Sequence, residues 1–214
     1  MLGETKRNRI SERREATRRE IVEAAWQVAR ERGLAEVTLR EIARRVGMQA
    51  PSLYGHVASK NEIYDAMFAQ AWTQFHEGVR GIDQAIPEDR ERALIFFARH
   101  FFDFAVHDPV RYQLMNQRTI PGFEPSPEAY APAVAVLEDL GQRMAEFGIT
   151  EQEDVDLWVA LIGGLVNSQL ANDPGGDRWG RLLERTARMY LRDLDLTTAG
   201  TTPVPTTNGD RSRA

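Results

Sequence analysis

Apolar residues recur at intervals of three and four along almost the whole chain, and no stretch alternates with period two, so the pattern predicts an all-α protein of about nine helices. Ile21, Ala24, Ala25, Val28 and Ala29 mark one face of a first helix that Gly33 closes. Thr38 followed by Glu41 forms a capping box for a short second helix carrying Leu39, Ile42, Ala43 and Val46, which Gly47 ends. Pro51 is acceptable only in a first turn, where its missing N–H has no helical partner to lose, so a third short helix begins near Ala50. Ser59 and Glu62 supply a second capping box for a long helix whose core face reads Ile63, Tyr64, Met67, Phe68, Ala71, Trp72, Phe75 and Val79.

A fifth helix striped by Ala93, Leu94, Phe97, Phe101, Phe104 and Ala105 is expected to end near Asp108 and Pro109. Pro121, Gly122, Pro125, Pro127 and Pro132 predict a long connection over 119–132, helix-permissive from Ala129, before a helix over 133–147 that Gly148 stops. Thr150 with Glu153 predicts a third capping box and a helix to about Ala171; a turn at 173–176 precedes a last helix over 178–194. The expected organisation is a flexible polar basic arm at 1–14, a helix-turn-helix unit at 15–60 and a helical effector-binding and dimerisation body at 61–195. The segment 196–214, rich in Thr, Pro, Gly and Asn, is expected to stay disordered, because it holds too little apolar surface to offset its ordering entropy.

Charge divides the chain. The net charge is -5, yet residues 1–60 hold 13 Lys or Arg against 8 Asp or Glu, and the remainder holds 14 against 24. A basic unit suits phosphates while an acidic body discourages adhesion elsewhere, although a solvated charged helix has the same composition. The absence of cysteine excludes disulfides, Cys-based zinc sites and a thiol nucleophile. With charges every few residues at the N-terminus and no later run of 18 apolar residues, the expectation is a cytoplasmic protein without a membrane partner.

Two short helices joined by a glycine turn form a unit that can seat the second helix in a major groove. Thr38, Arg40, Gln49, Ala50, Pro51, Ser52, Tyr54, Gly55, His56 and Lys60 are the candidate DNA-binding residues. Gln49 and Ser52 suit base edges, Tyr54 and His56 suit phosphates, and Gly55 lets the backbone approach a sugar. Lys60 follows the cap Ser59, where the helix dipole disfavours a cation unless an anion such as a phosphate lies there. Leu53 is expected to pack inward against Ile42 and Val46.

The run Ile21, Ala24, Ala25, Gly33, Thr38, Ile42, Ala43, Gly47, Leu53, Tyr54, His56 and Lys60 resembles the N-terminal pattern of the TetR (tetracycline-repressor) family in order and spacing. That resemblance implies a homodimeric transcriptional regulator, usually a repressor, that leaves a pseudopalindromic operator when a small molecule enters its body. Gln49 stands where the family often has Ser or Thr, and Val57 where Phe is common.

In the body, Trp72, Phe75, Phe97, Phe101, Phe104, Tyr112, Phe123, Tyr130 and Trp158 are candidates for an apolar effector pocket, although aromatic residues also fill cores. Leu157, Leu161, Leu165, Trp179, Leu182, Leu183 and Met189 are candidates for a dimer interface, with Gly163 and Gly164 permitting close approach. His100, Asp103 and His107 share one side of the fifth helix at metal-ligand spacing, yet only three ligands are visible and no metal or other cofactor is expected. An enzyme using these three residues would need a nucleophile and an oxyanion donor that no motif supplies, so no enzymatic role is expected. An architectural DNA protein would be expected to be basic throughout.

Overall fold

The structure is a computed structural model that describes residues 2–200; among them the chain forms nine α-helices and short 3-10 turns, with no strand. The first helix, α1 (Leu2–Arg32), runs unbroken through residues expected as a separate arm. The correction has a local cause: from Glu4 to Arg32 there is no glycine or proline, and Glu, Arg and Ala, all strong helix formers, dominate. Gly33, at φ +93°, ends the helix.

A 3-10 turn at Leu34–Glu36 leads into α2 (Leu39–Arg45). Thr38 caps α2 by accepting from the Glu41 N–H at 3.2 Å, but the Glu41 carboxylate turns to Arg44 rather than back to the cap, so the box is half made. Gly47, at φ +69°, makes the turn that a side-chain-bearing residue would adopt only under strain. Next comes α3 (Ala50–Leu53), barely a turn long, and then α4 (Lys60–Gly81), where Ser59 accepts from the Glu62 N–H at 3.1 Å and Glu62 accepts from the Ala58 N–H at 2.5 Å.

α5 (Arg90–His107) is capped by Asp89 and ends as expected. Asp108 then caps α6 (Pro109–Asn116), a helix the periodicity did not separate because its eight residues span little more than two turns. α7 (Pro127–Glu146) starts six residues before the expected 133 and contains Pro132. Ser126 caps it by accepting from the Ala129 N–H at 3.2 Å, and Pro127 takes the first position, where it loses no bond. Pro132 deprives only the carbonyl of Glu128, an exposed residue that water can satisfy, so the helix continues past it.

The third expected capping box does not form. α8 (Gln152–Asn172) begins after Glu151, and the Thr150 hydroxyl donates to the Glu151 carboxylate at 3.4 Å instead. After a 3-10 turn at Gly180–Leu182, α9 (Leu183–Gly200) extends through 196–200, residues expected in the tail, because no breaker intervenes before Gly200; residues 201–214 lie outside the described residues. No helix among the described residues is long and apolar enough to cross a membrane.

Two apolar cores organise these helices. One packs α1 to α4 with parts of α6 and α7 around Ile21, Ala25, Trp26, Leu53, Ile63 and Met67; the other packs α5, α8 and α9 around Leu94, Phe102, Trp158, Ile162, Leu183 and Tyr190. Phe101 touches both. Leu53 is fully buried with Ile42, and Val46 packs beside them, which holds α3 across α2. The Ser126 N–H donates to Asp65 at 3.0 Å and fastens the start of α7 to α4, so the first half of α7 joins the first core while Leu140 and Met144 join the second.

The caps yield a differential prediction. Ser126→Ala should lower unfolding stability by about 1 kcal/mol, whereas Thr150→Ala should change it by less than about 0.5 kcal/mol. Urea midpoints at unchanged m-value would measure both, and an equal loss at the two positions would contradict the assigned caps.

Candidate functional site

Residues 38–60 place a polar surface outward. Thr38, Arg40, Gln49, Pro51, Ser52, Tyr54 and Gly55 are exposed, Tyr54 to 58%, while Ala50, His56 and Lys60 are half-buried. The Gln49 side chain makes no capping bond, which leaves its amide to the surface. Its neighbours inside, Leu53 and Val57, are buried, so α3 has one apolar edge in the core and one polar edge in solvent.

Three contacts fasten this unit and the long helices beside it. Arg14 donates to the Gly55 carbonyl at 3.2 Å, Arg18 pairs with Glu62 at 2.6 Å, and Lys60 Nζ donates to the Ala35 carbonyl at 3.0 Å while lying over the Tyr64 ring at 5.2 Å. The compensation sought for Lys60 at a helix N-terminus is thus partly internal: a carbonyl and a ring face stabilise the ammonium. His56 has its Nδ1 buried without a partner, so only part of its ring is available outward.

Much of the positive charge is engaged within the unit. Glu41 gathers Arg44 at 2.6 Å, Arg32 at 3.5 Å and Arg45 at 3.6 Å, and Arg45 also pairs with Glu31. The hydrogen bond from Arg44, reinforced by the charges of Arg32, Arg44 and Arg45, holds the Glu41 carboxyl down at about 2. Arg40 is exposed beside α3. Arg44 and Arg32 keep much of their side chains in solvent despite these pairs, whereas Arg45 is largely covered.

A cavity of about 350 Å³ opens between the two cores. Of the nine expected aromatic residues, Trp72, Phe75, Phe97, Phe101, Tyr130 and Trp158 line it. Phe104, Tyr112 and Phe123 do not: Phe104 packs behind Phe75 at 5.1 Å between ring centres, Tyr112 is buried with its hydroxyl on Asn167 at 3.2 Å, and Phe123 lines a second cavity and packs on Tyr64. Sequence periodicity could not anticipate the polar wall, His76 and Asp139, which meet at 2.6 Å from helices 63 residues apart, and Arg143, which lies over Phe97 at 5.5 Å. The Trp72 indole N–H, also in this wall, is buried without an acceptor.

A link joins the cavity region to the first helix. Trp26 is fully buried, its indole donating to Gln70 at 2.6 Å, with the Arg111 guanidinium over its ring at 4.9 Å. Arg30 donates twice to Asp108, at 2.8 and 3.1 Å, and the other oxygen of Asp108 caps α6. One end of α6 therefore grips α1, and its other end supplies Met115 and Asn116 to the cavity wall.

His100, Asp103 and His107 do not form a metal site: among the described residues no group of three or more His, Cys, Asp or Glu could hold an ion. His100 is turned inward against Phe75 at 5.6 Å, where burial lowers its pKa, and Asp103 and His107 face solvent. Of the expected interface residues, Leu157 and Met189 are exposed and Leu161, Leu165, Trp179 and Leu182 half-buried. Leu183 is corrected: it is fully buried in the second core, because the 3-10 turn before it rotates it inward. Beside Gly163 and Gly164, apart from the adjacent residues and their own helix's backbone, no described atom lies within 4 Å of where a Cβ would stand.

Comparisons with known proteins agree with this geometry. Residues 21–67 match the family model described as bacterial regulatory proteins, tetR family. The HTH-type transcriptional regulator Rv1816 of Mycobacterium tuberculosis is 28% identical over 127 residues, 58% of this chain and 54% of its own length. The HTH-type transcriptional activator FasR of Mycolicibacterium smegmatis is 34% identical over 113 residues, 53% of this chain and 50% of its own. The chain thus spans about half the length of the curated relatives it matches. In fold it is similar to PfmR, a TetR family transcriptional regulator from Thermus thermophilus, with a TM-score of 0.54 and 24% identity over 80% of this chain and 97% of that one.

Glu41 generates a pH prediction. Its folded-state pKa of about 2 lies below the ordinary 4.5, so its stabilisation is present above pH 4.5 and is lost as pH falls toward 2. Thermal melts from pH 6 to pH 2 should lose stability more steeply for the wild type than for Glu41→Gln; parallel curves would refute the role of this carboxylate.

Proposed function

We propose that this chain, which belongs to the TetR family of bacterial transcriptional regulators, is a cytoplasmic homodimeric repressor that reads a pseudopalindromic operator with α3 and releases it when an apolar or aromatic effector fills the cavity between the two cores. The observation that carries this is the outward polar edge of α3, where Gln49, Ser52 and Tyr54 stand exposed on a helix whose other edge is buried. Such an edge can enter a major groove, with Gln49 and Ser52 at bases and Tyr54, Arg40 and Lys60 at phosphates. Thr38, Ala50, Pro51, Gly55 and the outward part of His56 complete the contact surface.

Two copies are needed to read two half-sites. Leu157, Leu161, Leu165, Trp179, Leu182 and Met189 offer an apolar face on α8, the turn before α9 and α9 itself, and the open space at Gly163 and Gly164 admits a second backbone. The reading heads are then spaced by the dimer, and only a ligand that prefers one spacing can shift binding. The cavity suits this because α4, α5, α6, α7 and α8 all contribute to its wall. Separating the walls displaces α4 and α6 relative to the dimer face, and the Arg30 to Asp108 link carries that displacement to α1.

Selection of bound duplexes from a random pool tests the proposal: recovered sites should show two related half-sites about one helical turn apart. Unrelated sequences without symmetry would reject it. Lys60→Ala and Arg40→Ala should each weaken binding to all duplexes and lower the salt slope by about 1, while Gln49→Ala should change base preference. Leu137→Trp, at a half-exposed position of the cavity wall, should abolish binding of a compact aromatic probe without changing operator affinity. Unaltered probe binding would place the effector elsewhere.

A further inference from the structure

Beside the aromatic cavity lies a second one of about 350 Å³, formed by Phe68 of α4, the end of α6, the connection to α7 and Tyr130. Met115, Asn116 and Tyr130 line both cavities. The two chambers therefore share a partition, and its parts are unusually yielding. Met115 is an unbranched side chain with several low-energy rotamers. Tyr130 is 45% exposed and rests on Phe68 in a stacked arrangement, ring centres 5.8 Å apart. Asn116 is the last residue of α6 and is exposed.

The chambers differ in chemistry. The first is walled by aromatic rings, and its charged groups engage partners already, His76 with Asp139 and Arg143 over Phe97, while the Trp72 indole N–H is buried without an acceptor. The second is lined by Phe68, Leu114, Ile120 and Phe123 together with Asn116 and Gln117, whose amide nitrogens donate to the Tyr112 carbonyl at 3.3 Å and to Asn167 Oδ1 at 3.0 Å; each amide also carries a second N–H and a carbonyl oxygen. The charged side chains lining the second chamber, Arg118 and Glu124, lie 3.6 Å apart at its rim and are largely solvent-exposed. Together they present no net charge. An ionised head group would lose hydration there without an unpaired counter-charge, whereas a neutral hydrogen-bonding head finds amide donors and acceptors.

We propose that the two chambers form one elongated site for an amphiphile with a long apolar tail and an uncharged polar head, the tail among the rings of the first chamber and the head against Asn116 and Gln117 in the second. This rests on the effector-cavity proposal above and names the ligand class for it. Binding swings Tyr130 and Met115 aside and joins the chambers. Because Met115 and Asn116 end α6, the partition that opens is also the end of the helix whose start grips α1.

The test uses the full chain and straight-chain 1-alkanols from hexanol to dodecanol, below their aggregation limits, followed by tryptophan emission, to which Trp72 and Trp158 contribute. Affinity should rise about fourfold per methylene through dodecanol. Asn116→Trp, which removes the amide and plugs the partition, should bind dodecanol at least about tenfold more weakly than Asn116→Leu, which removes the amide alone, the loss of roughly two methylenes. Gln117→Leu should weaken dodecanol and spare hexanol, and dodecanoate and dodecylammonium should each bind more weakly than dodecanol. An affinity that stops rising at the same chain length in wild type and Asn116→Trp, or a charged head that binds more tightly than the alcohol, overturns the two-chamber site while hexanol binding leaves the aromatic cavity standing. Failure of hexanol and dodecanol alike overturns both.

Discussion

Packing of α1 against α4 governs the rest of the molecule. Ile21, Ala25, Trp26 and Val28 from one helix meet Ile63, Met67 and Ala71 from the other, all fully buried. Through this contact α2 and α3 acquire a floor, since Leu53 and Ile42 need the same core to hold a four-residue helix that could not persist alone. The same α4 continues into the body and forms a cavity wall. One seam therefore joins the exposed polar edge of α3 to the aromatic cavity, and a change at one end has a mechanical path to the other.

The division into two cores gives that path its freedom. A single close-packed interior resists small displacements, whereas two cores joined by Phe101 and by α6 and α7, with a cavity between them, can shift against each other at lower cost. The link of Arg30, Asp108, Arg111 and Trp26 limits the shift to one in which α6 and α1 travel together. Electrostatics follows the same economy. Glu41 gathers Arg32, Arg44 and Arg45, while Arg40 and the polar edge of α3 stand exposed.

Helix content, the capping of α2 and α4, the start of α3 and the inward Leu53 were legible in the chain because each depends on residues three or four apart. Where local signals misled, a competing local interaction is visible. The Thr150 hydroxyl turned to Glu151, and Pro132 was tolerated because the only carbonyl it orphaned belongs to a solvent-facing residue. The six aromatic residues that meet in the cavity were likewise among those singled out, but the sequence offered no means to separate them from Phe104, Tyr112 and Phe123, which point elsewhere.

The linear order of residues by itself determined an all-helical chain with a basic, glycine-punctuated amino-terminal unit and an acidic body, since period, caps and charge are short-range properties. Only tertiary structure decided that His76 meets Asp139, that Leu183 lies inside, that Arg30 reaches Asp108 and that two chambers share a wall at Met115, Asn116 and Tyr130. Those facts depend on distances between side chains far apart in the chain, and these are set by how helices pack rather than by where they begin and end.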